Sequence, residues 1–132
     1  MRYEIDGSRF ATLEEFFEEV SRVLIPGEHW GHNLDAFNDI LRGGFGTPSD
    51  GFTLDWKNHA LSRQRLGYDE TVRQLEIRFE ACHPESRAKV LGDLERARAR
   101  QGPTVFDWLV DIIRIHCPGG HEEKDGVELS LD

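Results

Sequence analysis

A chain of 132 residues is about one domain's worth of sequence, long enough to bury a hydrophobic core without disulfides or a metal. Apolar residues make up 38% and charged residues 31%, the formal charge is −9, and no apolar run approaches the ~20 residues that span a bilayer. These figures argue against a membrane role and against a grip on nucleic-acid phosphates, and they favour basic partners drawn in by long-range attraction.

The negative charge is uneven. Residues 1–60 carry −6, residues 61–102 carry +2 and residues 103–132 carry −5. The N-terminus has Arg2, Glu4 and Asp6 where a secretory signal needs an apolar core, so the expectation is a cytoplasmic protein. Cys82 and Cys117 are the only cysteines, and in such a chain two cysteines are more often reduced thiols than a disulfide.

Tyr3 and Ile5 alternate with charged residues up to Asp6-Gly7, which predicts a short strand ending in a turn. Thr12 with Glu15 forms a capping-box pattern, and Leu13, Phe16, Phe17, Val20, Val23 and Leu24 keep helical spacing until Pro26-Gly27. After the loop 26–32, Asn33 is a good N-cap for a helix that ends at Gly43-Gly44, where a left-handed C-cap is expected. Phe52, Leu54 and Trp56 alternate in a second strand.

Asp69 is the expected cap of a third helix through Val72, Leu75 and Phe79, and His83-Pro84 ends it, with proline suited to the first position of the next helix. A fourth helix carries Val90, Leu91, Leu94 and Ala97. A fifth, from Val105 to Ile113, is broadly apolar and reads as central. Val127, Leu129 and Leu131 alternate in a last strand.

Strands separated by helices indicate crossovers and a parallel sheet of three strands. The alternation resists this, because strands of parallel sheets usually read as continuous apolar runs. The pattern alone leaves open an antiparallel sheet or one covered on a single face.

The run Trp30 to Phe45 is the most informative stretch. Asp35 and Asp39 lie one helical turn apart, so Asp35, Asn38, Asp39 and Arg42 fall on one stripe and Leu34, Phe37 and Leu41 on another. Neighbouring like charges on a helix cost a few tenths of a kcal/mol unless a cation offsets them. On an arbitrary helix the default reading is solvated charge, with Asp35 also favoured by the positive end of the helix dipole.

Taken in order, Tyr3-Glu4-Ile5-Asp6-Gly7, the helix from Thr12, Trp30-Gly31-x-Asn33-Leu34-Asp35-Ala36, the Asn38-Asp39 pair, Gly43, Phe52-Thr53-Leu54-Asp55-Trp56 and Val127-Glu128-Leu129 resemble the barstar family of intracellular ribonuclease inhibitors. The resemblance covers roughly the first 60 and last 30 residues, and leaves about 61–102 as a helical insert within a single domain of residues 1–132. It implies an α/β two-layer fold in which a three-stranded parallel sheet packs against helices on one side.

The resemblance also implies a role. In the family this helix and the preceding loop plug a ribonuclease active site, with acidic side chains placed where substrate phosphates go. Charge-assisted bonds in a desolvated pocket let single contacts dominate affinity, as the family's own complex exemplifies. Asn33, Leu34, Asp35, Asp39 and Gly43 match interface positions, and Gly44 and Phe45 are expected to supply shape. His29 and Asn38 stand where the best-known member has aromatic residues, and a further acidic contact falls at Ile115. The implied partner is a basic ribonuclease of the extracellular type, bound by a protein that is monomeric when free. The alternative is an antitoxin or interaction protein on the same scaffold for another basic nuclease or intracellular partner.

Other features have plainer readings. Trp30, Trp56 and Trp108 read as core aromatics, with Trp30 bordering the loop and holding its shape. His29 with His32, or His116 with Cys117 and His121, can be assembled as metal combinations on paper, but none has ligand-motif spacing, so no metal or cofactor is expected. The glycines 43, 44 and 46 lack the strand and Lys-Ser/Thr of a phosphate loop. Arg87, Lys89, Arg96, Arg98 and Arg100 alternate with acids as on a solvated helix. No nucleophile, base and oxyanion set is declared by motif, which argues against an enzyme.

Overall fold

The structure, a computed structural model, describes residues 1–43, 46–48 and 50–132. Its sheet has three strands, β1 (Arg2–Asp6), β2 (Thr53–Lys57) and β3 (Glu128–Leu131), in the order β1-β2-β3. Both pairings are parallel, with Ile5 beside Trp56 and Leu54 beside Leu129. This register puts Tyr3, Ile5, Leu54, Trp56, Leu129 and Leu131 on one face, packed into or against the core. Arg2, Glu4, Asp55, Lys57, Glu128 and Ser130 take the other. The alternation in the sequence therefore coexists with parallel strands because the core lies against one face. On the polar face Asp55 is still only 3% exposed, since Arg2 Nη1 lies over it at 2.7 and 2.6 Å from its two carboxylate oxygens.

Helix α1 (Leu13–Val23) buries Leu13, Phe16, Phe17 and Val20. Its predicted capping box forms by half. Thr12 Oγ1 accepts from Glu15 N at 3.1 Å, but the Glu15 carboxylate turns to Ala11 N instead of closing on Thr12. Helix α2 (Leu34–Leu41) starts as expected, with Asn33 Oδ1 accepting from Ala36 N at 2.8 Å, and it buries Phe37, Ile40 and Leu41.

A seven-residue helix, α3 (His59–Arg65), was not expected. It carries little apolar periodicity of its own and is held by tertiary bonds. Trp56 Nε1 donates to the fully buried Ser62 Oγ at 2.9 Å, and Arg65 Nη1 reaches the carbonyls of Gly7, Ser8 and Phe10. The approach explains Gly7: a Cβ there would sit 2.2 Å from Ser62 Oγ and 2.6 Å from the Asn58 carbonyl.

Helix α4 (Tyr68–Ala81) has Gly67 at its N-cap, and Asp69 lies in its first turn instead of capping it. Pro84 falls in a 3-10 turn, Pro84–Ser86, that leads into α5 (Arg87–Arg98). Proline thus initiates the descent into the helix from one turn earlier than expected. Helix α6 (Val105–Ile115) opens on a complete capping box between Thr104 and Asp107 that the sequence reading passed over.

The main core centres on Trp56, which is fully buried against Phe16, Phe10 and Phe106 with ring centroids 5.4, 6.0 and 5.2 Å away. Leu75, Leu94 and Ala97 form a second, smaller cluster between α4 and α5, and Trp108 packs against both. Buried polar side chains in the first turn of α4 join the parts. Glu70 Oε2 accepts from Leu13 N at the start of α1, and Thr71 Oγ1 accepts from Val105 N at the start of α6, each at 2.8 Å. Both contacts satisfy amides that a helix N-terminus leaves open. Cys82 and Cys117 are free thiols, and burial raises the pKa of Cys117. No helix among the described residues is long and apolar enough to cross a membrane.

Candidate functional site

The loop between α1 and α2 is fastened to α1 by its aromatic residues. Trp30 Nε1 donates to Ser21 Oγ at 2.6 Å while its ring meets Phe17 edge-on at 5.4 Å. His32, in the left-handed region at φ 47°, lies 4.5 Å from the Trp30 ring centroid and 3.3 Å from Ser21 Oγ through Nε2. Trp30 therefore sets the shape of the loop from within, and His29 is exposed on it. The chain returns past the loop at Gly46, where φ is 97° and a Cβ would meet Ile25 Cγ2 at 2.7 Å. Thr47 Oγ1 then donates to the Ile40 carbonyl at 3.0 Å, closing the end of α2.

On α2 itself the candidate residues divide. Asp35 and Asp39 are exposed, one turn apart, while Leu34 is half-buried against the core. Among the described residues Asp35 has no hydrogen-bond or ion-pair partner. Asn33 is exposed, but its side chain is spent on the cap, with Nδ2 also donating to the Gly31 carbonyl at 3.2 Å. Gly43 takes the left-handed conformation expected of a helix end, at φ 86°. Gly44 and Phe45 lie outside the described residues. Ile115, at the end of α6, is half-buried.

Asn38 keeps its place on the stripe but is partly covered there. It is half-buried, and its Oδ1 lies 2.6 Å from Nε2 of His116, a fully buried residue just beyond α6. The other ring nitrogen of His116 is 2.6 Å from Asp125 Oδ2. Asn38 thus faces the neighbouring turn, because a partner from elsewhere in the chain claims its amide.

That turn brings an acidic ledge beside α2. Arg42 Nη1 donates to Asp39 Oδ1 at 2.6 Å, and its Nε and Nη2 reach the two oxygens of Glu122 at 3.2 and 3.4 Å. The hydrogen bonds that Arg42 donates to Glu122, followed by the charge of that carboxylate, raise the Arg42 pKa. His116, Glu122 and Asp125 also bring one ligand atom each within 4.8 Å of one another. They differ from the histidine and cysteine combinations suggested by sequence. Both nitrogens of His116 are occupied by protein and Glu122 already holds a guanidinium, so the cluster reads as an internal polar network. Sequence reasoning weighed His116 only beside Cys117 and His121, and it missed Glu122, Asp125 and the role of Arg42. The only available signal was the position of His116 after the apolar run of α6.

The family described as barstar (barnase inhibitor) matches residues 1–91. The chain belongs to the barstar family. No curated protein matches it. The barstar match runs through α3 and α4 into α5, taking in much of the stretch that had been set apart as an insert, and stops before α6 and β3. The barstar scaffold is one that binds and inhibits a ribonuclease.

Proposed function

We propose that this chain inhibits a basic, barnase-type ribonuclease by laying α2 and the loop 26–32 across its active site, and that it is not itself an enzyme. The observation that carries this reading is the pair Asp35 and Asp39, exposed one turn apart on a barstar-family helix whose other side is locked into the core by Phe37, Ile40 and Leu41. A rigid helix loses little entropy on binding, and its carboxylates meet the cationic groups that otherwise hold substrate phosphates. The acidic whole speeds encounter, and the helix then competes with RNA. His29, Asn33, Leu34 and Gly43–Phe45 would frame the contact, within a domain spanning residues 1–132.

Titrating the protein into barnase at low and moderate salt, with Asp39→Ala alongside, tests this. Stoichiometric inhibition that weakens with salt and falls steeply in the variant is expected. Full RNA cleavage at every salt concentration would sink the proposal. A second reading keeps the scaffold and changes the target to another basic nuclease or intracellular protein. It is favoured by Asn38, whose amide is engaged by His116 where the family's best-known member has an aromatic contact.

A further inference from the structure

Asp35 and Asp39 look alike in sequence, yet the fold treats them differently. Asp39 is 68% exposed and already holds a cation, Arg42 Nη1 at 2.6 Å. The same guanidinium keeps Nε and Nη2 on Glu122, which is 31% exposed and lies on the far side from Asp39. Arg42 is therefore strung between α2 and the turn before β3, bound to Asp39 by one contact and to Glu122 by two.

We propose that Arg42 is a specificity-determining residue of this face, an internal guanidinium that occupies Asp39 in the free protein and admits only a partner whose own clustered cations displace it. This rests on the reading of α2 as the face that meets a basic protein. Release of Asp39 breaks a single contact, since Arg42 keeps its two bonds to Glu122 as it moves aside. After release its positive charge still stands beside the incoming cation. A lone lysine brings one strongly hydrated point charge and gains no more than Arg42 already supplies. A fixed set of guanidinium and ammonium groups engages Asp35 and Asp39 together and outweighs it. Rejection of weakly basic surfaces is thus built in as a competing contact, which is how discrimination is achieved against partners of similar overall charge.

The test uses the full chain and two probes, hexa-arginine peptide followed by NMR shifts of the α2 amides, and barnase followed by RNA cleavage. Arg42→Gln is expected to tighten hexa-arginine binding about three- to fivefold, the equivalent of one competing exposed ion pair removed. Arg98→Gln, the same change of formal charge on the exposed side of α5, is the control for bulk attraction and should change it less than about twofold. In an Asp39→Asn background the Arg42→Gln gain should shrink by at least half, the remainder coming from the lost charge of Arg42 and from the freed Glu122. Arg42→Gln no better than Arg98→Gln, or a gain undiminished in Asp39→Asn, overturns the inference whatever barnase does. If hexa-arginine shows the expected pattern while barnase is never inhibited, the inference stands and the ribonuclease target falls.

Discussion

His116 and Asn38 are 78 residues apart in the chain and 2.6 Å apart in the fold, through Nε2 and Oδ1. The contact joins the end of α6 to the middle of α2, and Asp125 continues it to the turn before β3. Three segments are held by one fully buried ring. His116→Phe keeps the ring and its volume but strips both polar contacts. It is expected to cost about 2 kcal/mol, because Asn38 and Asp125 are left without their buried partner. Amide hydrogen exchange should quicken in α2 and around Asp125 more than in α1. Equal acceleration in both helices would show that the ring merely fills space.

Trp30 is expected to govern binding without touching the partner. Trp30→Ala removes the hydrogen bond to Ser21 and the edge contact with Phe17, which releases the loop 26–32 at a stability cost of about 2 kcal/mol. Inhibition of barnase should weaken mainly through faster dissociation, and Trp30→Phe should recover part of it. Unchanged dissociation in Trp30→Ala would remove the loop from the binding face.

Glu70 is 6% exposed, and one of its oxygens closes the N-terminus of α1 while Arg73 Nε lies 2.6 Å from the other. Glu70→Ala is expected to lower stability by about 2 kcal/mol through the unsatisfied Leu13 amide. Glu70→Gln, which can still accept, should lose less. Urea denaturation at neutral pH distinguishes the two variants, and equal losses would assign the effect to the ion pair with Arg73.

Asp6 links acid stability to the seating of α3. The hydrogen bond from Asn58 Nδ2, at 2.8 Å, followed by those from Ser8, holds its carboxyl pKa below the usual range. A lowered folded-state pKa means that the unfolded chain takes up the proton first. The stabilisation is therefore complete above the ordinary carboxylate value and is lost as pH falls through the folded one. Between about pH 4 and pH 2 the melting temperature of the wild type should fall more steeply than that of Asp6→Asn. Parallel curves would contradict the assignment.

Gly7→Ala should be among the costliest small substitutions in the chain, since the added methyl meets Ser62 Oγ and the Asn58 carbonyl well inside contact distance. A loss of about 3 kcal/mol is expected in thermal or urea melts. Gly7→Ala combined with Ser62→Gly should restore part of it. No recovery in the double variant would place the strain at the Asn58 carbonyl.

What the sequence made legible was what repeats locally. The alternation of Tyr3 and Ile5 or of Leu54 and Trp56, the spacing of Phe16, Phe17 and Val20, and the cap at Asn33 are short-range patterns, and each element they announce is present. Helix α3 was illegible because its stability comes from Trp56 and from Arg65 reaching back to Gly7, Ser8 and Phe10. Asp35 and Asp39 were visible as a pair, whereas their inequality was not, since it depends on Glu122 arriving beside Arg42 from 80 residues away. The partner of Asn38 was invisible for the same reason. Helical spacing puts Asn38 at the edge of the polar stripe, and His116 covers that edge from 78 residues away.

The first turn of α4 bears on how this chain can be shortened. Leu13 and Val105 each begin a helix on an amide hydrogen whose acceptor is a side chain of that turn, Glu70 or Thr71. Excising residues 61–102 to leave a minimal sheet-and-helix body would leave the Leu13 and Val105 amides without acceptors, although Thr12 and Thr104 still cap their helices, and it would also strip Ser62 from the indole of Trp56. The middle third of the sequence is in this sense a bolt through the frame: a chain trimmed of it must find new acceptors for those donors before it can hold α2 in place.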